Sequence, residues 1–392
     1  MSHTPSHRLI AIYLSNLLLS FHFFLIIYVN SSYLGTFFSA DTLGLLYMVG
    51  SVITTILLFC TPRILSRIGN HKYTLWALVL EASALVGLAV GSTPMTVALA
   101  FITHQAIIPL ATFGLDVFLE GSLKNEKHTG VARGLYLTLG NITLVVSPLL
   151  TGILLASGHY GNVYLVSLLF LFPLFFVVRH YLRGATGSRV RTIDIRGTLR
   201  DAWSNRDIRG ALAGQCVLQF FYAWMVIYMP LYLHNHIGFS WSHIGVIFTI
   251  MLLPFMLFEL PLGALADKKI GEKEILITGF CIMSVTTFCI PALRSSDLVL
   301  WALFLFLTRV GASFVEVSSE SYFFKHVTDK NAGFISLFRA TRPLSYIITP
   351  AVVSLAAYCT TISHAPYSYT FSILGIITLT GALWSFSLKD TK

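Results

Sequence analysis

Residues 114–148 read GLDVFLEGSLKNEKHTGVARGLYLTLGNITLVVSP, and residues 314–350, about half the chain later, read FVEVSSESYFFKHVTDKNAGFISLFRATRPLSYIITP. Each stretch contains two acidic residues four positions apart, then a basic loop, then an apolar run that ends at a proline. The acidic pair that begins at Asp116 returns at Glu316, an offset of 200 residues, and the prolines return at nearly the same offset. Matching landmarks at one offset indicate an internal repeat, so we expect two halves of the same fold.

The composition excludes a water-soluble domain. Of the 392 residues, 55% are hydrophobic and only 11% are charged, and the mean hydropathy is +0.76. A soluble globular protein carries roughly 25% charged residues because its surface needs them. A disordered chain would need the opposite composition. The sequence therefore predicts an integral membrane protein.

Apolar runs long enough to cross a bilayer recur along the whole chain. A membrane-crossing helix needs about 20 predominantly apolar residues. The sequence has twelve such runs, at 9–31, 42–61, 73–92, 95–118, 134–156, 161–180, 210–233, 243–262, 275–293, 298–321, 335–358 and 368–388. The first run is too long for a signal peptide, and no cleavage site follows it. We predict an all-α, polytopic fold with twelve transmembrane helices.

The positive charge lies on one side of the predicted membrane. The formal net charge is +9, and all but two of the 26 lysine and arginine residues fall at the termini, in alternate loops or at the ends of spans that adjoin those loops. The two exceptions are Arg294, in an opposite loop, and Arg309, inside a span. Retained positive charge marks the cytoplasmic side. Both termini are thus predicted to be cytoplasmic, in a plasma (inner) membrane, and no nucleic-acid partner is expected.

Motifs for catalysis or metal binding are missing from the sequence. It contains no GxxxxGK[ST], HExxH or GxSxG pattern, so an ATP-driven pump and a conventional enzyme are disfavoured. The five cysteines have no CxxC spacing and are expected to be small buried hydrophobes. Three histidines lie close together at 234, 236 and 243, but no carboxylate or cysteine joins them. We predict no enzymatic activity, no cofactor and no metal.

The longest polar stretch, residues 182–209, separates six spans from six. Its apolar residues alternate with arginines, which is typical of a short amphipathic helix on the inner membrane surface. A solvated flexible linker is the alternative. The predicted domains are an N-terminal six-helix bundle (1–181), this cytoplasmic central loop and a C-terminal six-helix bundle (210–392).

Two loops carry a recognisable motif. The loop after the eighth span, residues 263–273, reads GALADKKIGEK, and the loop after the second span, residues 62–72, reads PRILSRIGNHK. The first resembles the pattern G-x-x-x-D-[RK]-x-G-x-[RK]-[RK], with one extra residue. In the second, Pro62 and Ser66 replace the first glycine and the aspartate. With twelve spans, a 6+6 duplication and a basic central loop, the chain resembles the major facilitator superfamily (MFS) of transporters.

The resemblance implies two pseudo-symmetric six-helix bundles and a central cavity lined by spans one, four, seven and ten. Each of these spans has polar residues near its centre. The predicted substrate-binding residues are Asn16 and His22 on span one, His104 and Gln105 on span four, Gln215, Gln219 and Tyr222 on span seven, and Arg309 on span ten. The two histidines are interpreted either as proton carriers or as hydrogen-bonded structural residues.

Arg309 lies near the middle of its span, where an arginine is expensive unless it is paired or hydrated. Two interpretations stay open. It pairs with a carboxylate, for which Glu316 is the near candidate, or it faces the aqueous cavity and contacts an anionic or hydroxyl-rich substrate.

Charged residues near the inner ends of the spans are predicted to act in gating or coupling. One group, from the repeated stretches, contains Asp116, Glu120, Arg133, Glu316, Glu320, Arg339 and Arg342. These residues are expected to form ion pairs that close the inner gate, or one carboxylate also carries a coupled proton. A second group follows the family motif and contains Glu259, Gly263, Asp267, Lys268 and Gly271. Glu81, alone near the middle of span three, is added to them.

The predicted function is secondary active transport of a small solute by alternating access, with proton coupling. The alternative is a non-transporting member of the same fold that acts as a membrane sensor or assembly partner. The expected partners are a small-molecule substrate, a coupling proton and the lipid bilayer, and the protein is expected to be a monomer.

A reporter enzyme that is active only in the cytoplasm tests the topology. Fused after Ser188 it should be active, and inserted at His236 it should be silent, because the charge distribution places these sites on opposite sides. Activity at both sites would contradict the twelve-span count.

Overall fold

The computed structural model describes residues 7–123, 129–184, 195–268, 271–326, 332–362 and 367–389, and these form helices and short connections without a strand. The helices are α1 (His7–Ile26), α2 (Asn30–Leu34), α3 (Ala40–Val90), α4 (Pro94–Leu123), α5 (Thr129–Leu154), α6 (Tyr160–Tyr181), α7 (Ile195–Ser204), α8 (Arg206–Leu231), α9 (Trp241–Lys268), α10 (Glu272–Phe288), α11 (Leu298–His326), α12 (Ala332–Ile362) and α13 (Tyr369–Phe386). Single turns follow three of them, at Leu155–Ser157, Tyr232–Ile237 and Ile290–Ala292. The predicted all-α fold class is confirmed.

Within the described residues, eleven helical segments are long and apolar enough to cross a membrane. One of these segments, α3, has 51 residues. At about 1.5 Å per residue it would extend about 75 Å, more than twice the roughly 30 Å of hydrocarbon. Helix α3 therefore corresponds to two predicted spans, 42–61 and 73–92, and the helices accommodate all twelve.

Helix α3 is broken at Gly69, in the loop that carries the weaker copy of the family motif. Gly69 has φ 77° and ψ 157°, a backbone conformation that is essentially restricted to glycine. The hydroxyls of Thr61 and Tyr73, on either side of the break, are 3.1 Å apart. In a straight helix these residues would be about 18 Å apart along the axis. The chain therefore reverses at Gly69, and its two arms lie side by side.

The chain divides into two compact units, Met1–Thr192 and Ile193–Lys392. In the first unit, α1 packs on α4, α5 and α6, and α3 packs on α4 and α6. In the second unit, α8 packs on α11, α12 and α13, while α9 packs on α11, and α10 packs on α11 and α13. Because α3 provides two spans, the packing pairs of the two units correspond. The internal repeat is thus a repeat of structure, as predicted.

Small residues allow the helices to approach closely inside a unit. A Cβ atom added at Gly311 of α11 would lie 2.6 Å from the carbonyl oxygen of Gly279 in α10. A Cβ added at Gly114 of α4 would lie 2.3 Å from the Thr74 hydroxyl. Since lipid chains are as apolar as leucine, helices in a membrane associate through such close packing and through hydrogen bonds.

The central segment contains a helix. Helix α7 begins at Ile195, and its Trp203 side chain is exposed. A helix in this segment agrees with the amphipathic interpretation, whereas its position on the membrane surface stays a prediction. The predicted bundle limits at 181 and 210 also stay predictions, and residues 185–194 lie outside the described residues.

We expect Gly69→Ala to lower the free energy of unfolding by about 1–3 kcal/mol, because alanine is strained in this backbone conformation. Thermal unfolding of the purified protein measures the effect. The control is Gly134→Ala, at an exposed helical glycine of α5 with no atom within 4 Å of the added Cβ. That change should be neutral or stabilise by up to about 1 kcal/mol. Equal effects of both substitutions would contradict the reversal at Gly69.

Candidate functional site

Two polar clusters lie inside the units, one in each. In the second unit, Arg309 of α11 is only 1% exposed, and its guanidinium lies over the rings of Phe221 and Tyr222 of α8. The distances from the guanidinium carbon to the two ring centres are 5.1 and 5.4 Å. Its Nε and Nη1 atoms have no hydrogen-bond partner among the described residues. Arg309 is therefore a buried cation that contacts the faces of two aromatic rings. Two of its nitrogens have N–H groups that no described residue accepts.

Two hydrogen bonds join polar side chains of α8 and α11. The Tyr222 hydroxyl donates to Glu316 Oε2 at 2.7 Å, and the Ser319 hydroxyl donates to Gln215 Oε1 at 3.3 Å. Gln219, one turn along α8, is half-buried. Of the residues predicted for the substrate site in the second half, Arg309 lies against Tyr222, whereas Gln215 contacts Ser319, ten residues further along α11. Within the described residues, no ion pair joins Arg309 to Glu316.

In the first unit, Glu81 of α3 lies between two histidines. Its Oε1 atom is 3.1 Å from His22 Nε2 of α1 and 2.5 Å from His104 Nδ1 of α4. All three side chains are buried, with at most 1% exposed. The sequence predicted the histidines for the substrate site and Glu81 for coupling. The structure brings the three together, and their roles stay predictions.

Neighbouring helices orient the two histidines. The Nδ1 atom of His22 is 2.7 Å from the hydroxyl of Ser167 in α6. The Nε2 atom of His104 is 3.4 Å from the side-chain nitrogen of Asn30 in α2. The sequence reasoning did not find Ser167 or Asn30, since neither carries a charge or a motif.

Among the described residues, His22, Glu81 and His104 form the one group whose metal-ligating atoms all lie within 4.8 Å of one another. Two ligand atoms that bind one tetrahedral metal ion at about 2.0–2.2 Å lie about 3.3 Å from each other. The 2.5 Å separation between His104 and Glu81 is shorter and is a hydrogen-bond distance. The arrangement fits a shared hydrogen better than a shared ion.

The two remaining predicted substrate residues contact their neighbours within the first unit. The side-chain nitrogen of Asn16 donates to the carbonyl oxygen of Tyr136 at 2.7 Å. That of Gln105 donates to the Ser51 hydroxyl at 3.4 Å. These contacts join α1 to α5 and α4 to α3.

The predicted gate residues are described in part. Asp116 Oδ1 accepts a hydrogen bond from the Tyr136 hydroxyl at 3.2 Å. In the second half, Arg339 Nη1 is 3.8 Å from Glu320 Oε1, and both side chains are exposed. The gating roles of these residues and of Glu120 and Arg342 stay predictions. The side chain of Arg133 lies outside the described part of the chain.

The residues of the better-preserved motif lie at the junction of α9 and α10. The structure describes the backbone of Glu259, Gly263, Asp267 and Lys268 as part of α9, and their side chains lie outside the described part. Gly271 directly precedes α10 with φ −63°. Their predicted role in gating or coupling stays a prediction.

Sequence reasoning missed two ionic contacts in the second unit. Asp207, near the start of α8, accepts a hydrogen bond from the Tyr322 hydroxyl at 2.9 Å, and its Oδ2 atom is 3.3 Å from Lys389 Nζ. The fully buried Glu272, at the start of α10, pairs with Lys325 of α11. The residues of each contact are far apart in the sequence, so no local sequence pattern indicated the contacts.

The sequence matches the profile of the Major Facilitator Superfamily over residues 10–246 and again over 211–392. Comparison with curated proteins finds no match. The chain belongs to the major facilitator superfamily, a family of membrane transporters, and is a polytopic integral membrane protein.

Solved structures of the same fold are distant in sequence. A variant of the nucleoside transporter NupG has a TM-score of 0.79 at 14% identity, with 98% of this chain and 100% of that one covered. A POT family transporter in complex with a thioalcohol-conjugated peptide has a TM-score of 0.75 at 12% identity, covering 96% and 94%. A bacterial homologue of the human lysosomal transporter Spinster, inward-facing and unoccupied, has a TM-score of 0.69 at 12% identity, covering 98% and 94%. These similarities show the fold.

We expect Tyr322→Phe to lower the free energy of unfolding by about 1–3 kcal/mol, because a buried carboxylate loses its donor. Thermal unfolding in detergent measures it, with Tyr358→Phe, at an exposed tyrosine of α12, as the control that should change nothing. An unchanged midpoint in Tyr322→Phe would show that this contact does not stabilise the second unit.

Proposed function

We propose that the protein is a secondary active transporter that carries a small solute with an acidic group across the membrane by alternating access. The observation that carries the proposal is the buried Arg309 guanidinium, two of whose nitrogens have no hydrogen-bond partner among the described residues. A stable interior does not ordinarily keep such a group unsatisfied, because its desolvation is expensive.

A guanidinium group cannot relieve this cost by losing its charge. It needs an anion, a set of acceptors or water. The carboxylate nearest in sequence, Glu316, accepts from Tyr222 instead. A carboxylate or phosphate group on the substrate fits the unused donors, since guanidinium groups bind both in planar geometry.

The surroundings support an organic anion rather than a simple inorganic ion. Phe221 and Tyr222 lie against the guanidinium, and the half-buried Gln219, one turn before Tyr222 on α8, offers an amide. Small-molecule sites in proteins typically combine an apolar lining with a few placed polar groups. Arg309, Tyr222, Gln215 and Gln219 are the proposed substrate residues of the second unit.

The topology, the gate and the oligomeric state are proposed from the sequence. The basic residues support cytoplasmic termini in a plasma (inner) membrane. Ion pairs such as Arg339 with Glu320 are proposed to close the inner gate. The protein is proposed to be a monomer without enzymatic activity. The rival function is a non-transporting sensor, which would bind the anion at Arg309 without moving it, or an assembly partner, for which the unused donors of Arg309 would have no use.

The stability of Arg309→Met separates a binding arginine from a structural one. If Arg309 is kept for the substrate, the substitution should leave the substrate-free protein equally stable or more stable, because methionine has similar length and no charge to satisfy. If Arg309 is paired structurally, removing one partner of a buried pair should destabilise the protein by about 3–5 kcal/mol. Arg294→Met, at an exposed arginine, is the matched control.

Binding and uptake complete this test. Thermal-shift measurements with carboxylate and phosphate compounds, beside neutral sugars, should find an anion that stabilises the wild type and not Arg309→Met. That anion should be taken up by proteoliposomes containing the wild type, and Arg309→Lys should lose most of the uptake because lysine lacks the planar fork. Normal uptake by Arg309→Met would remove the residue from the site, and binding without uptake would favour a sensor.

A further inference from the structure

The His22–Glu81–His104 cluster has hydrogen bonds whose directions follow from its neighbours. Tyr164 of α6 has a single hydroxyl hydrogen and donates it to Asn30 Oδ1 at 2.9 Å. The amide nitrogen of Asn30 therefore faces His104 Nε2, and an amide nitrogen has only hydrogens to offer. Since Nε2 of His104 accepts, a neutral His104 carries its hydrogen on Nδ1 and donates it to Glu81 Oε1.

The hydroxyl of Ser167 sets the direction at His22. Its one hydrogen is donated to the backbone carbonyl oxygen of His22 at 2.9 Å. The Ser167 oxygen is then left to accept from His22 Nδ1 at 2.7 Å. A neutral imidazole has one N–H group, so a neutral His22 with its hydrogen on Nδ1 has a bare lone pair on Nε2.

That lone pair points at a second acceptor. His22 Nε2 lies 3.1 Å from Glu81 Oε1, and two lone pairs repel at this distance unless a hydrogen lies between them. We infer that the cluster binds one proton beyond those of two neutral histidines and a carboxylate, shared between His22 Nε2 and Glu81 Oε1, and that this proton is the one coupled to transport. Only the coupling clause rests on the proposed function.

The charge balance of the cluster agrees with one bound proton. With the proton present, the three side chains carry no net charge. Without it, they carry one negative charge in a part of the fold where none of them is more than 1% exposed. Glu81 Oε2 has no hydrogen-bond partner in the described structure, and no lysine or arginine described there pairs with Glu81. Loss of the proton therefore leaves a buried anion that the hydrogen bond from neutral His104 stabilises without neutralising its charge.

Release of the proton must then be linked to movement of helices. The cluster joins α1, α3 and α4, and Ser167 and Tyr164 attach it to α6. The other titratable neighbours are Tyr47 of α3, which packs on Phe101 beside His104, and Tyr33, which packs on Tyr164. Because the cluster is enclosed, the proton exchanges with water only when these helices part, which is the property that a coupled carrier needs to avoid a leak.

Spectroscopy of the full-length protein tests proton binding without a substrate. At pH 8.5 a histidine with an ordinary pKa near 6.5 is neutral. In protein with nitrogen-15-labelled histidine, magnetic resonance should nevertheless detect one imidazole per chain with both nitrogens protonated, or infrared spectra should detect one protonated carboxyl group. The absence of both signals would overturn the inference. So would a stoichiometric metal ion in protein purified without added metal.

Glu81→Gln is the informative variant, because it removes the carboxylate that shares the proton, while its amide oxygen can still accept from His104 Nδ1. The variant should fold and should lose the spectroscopic signal of the bound proton. It should also lose the part of the stability that depends on binding this proton. In the wild type the folded protein holds a proton that the unfolded chain releases at high pH, so the unfolding midpoint should fall as pH rises from 7 to 9. In Glu81→Gln it should fall less. Glu274→Gln, at an exposed acid of α10, should match the wild type in both measurements.

A separate measurement tests whether the bound proton is coupled to transport. In proteoliposomes, accumulation of an anion found by thermal shift should follow an imposed pH gradient in the wild type. In Glu81→Gln, exchange of the same anion should continue without accumulation. Gradient-independent accumulation by the wild type would overturn the coupling clause while the spectroscopic proton remained. A protein that shows the proton signal and no uptake of any anion would instead contradict the proposed function.

Discussion

The interior of a bilayer offers no water, so every polar group within a span must be satisfied by the protein or its ligands. The low charge content of this chain follows from that constraint. The same constraint indicates what each remaining charged residue does. Where a charged group is paired with a partner at a helix end, as Asp207 is with Lys389, it joins helices. Where it lies mid-span without a sufficient partner, as Arg309 does, it indicates a function.

The same architecture carries different chemistry in the two units. The helices pack in corresponding pairs, yet the first unit encloses an acid between two histidines and the second encloses an arginine on aromatic rings. In our account the first unit binds the proton at Glu81 and the second binds the acidic group of the substrate at Arg309. A duplicated fold allows this division, because each bundle needs to satisfy only its own buried charge.

The sequence predicted the fold well, because spans and repeats depend on local composition. The twelve apolar runs required only their length, and the Asp116 and Glu316 stretches aligned without knowledge of packing. The sites could be predicted only in part. Arg309 was recognisable as an unusual mid-span charge, but the position of Glu316 beside Tyr222 was not, since helix rotation decides it.

The cluster of His22, Glu81 and His104 shows more clearly what the sequence could not predict. His22 and Glu81 are 59 residues apart, and Glu81 and His104 are 23 apart. The sequence assigned them to different sites, because it contains no signal for which faces of α1, α3 and α4 meet. The hydrogen bond between Tyr322 and Asp207 was missed for the same reason.

The equilibrium accumulation of an anionic substrate in proteoliposomes, measured against imposed pH gradients at zero membrane potential, tests the central claim most directly. One proton per substrate predicts that the ratio of inside to outside concentration changes about tenfold per pH unit, since each unit is worth about 1.36 kcal/mol. A ratio that stays at one whatever the gradient would contradict the account.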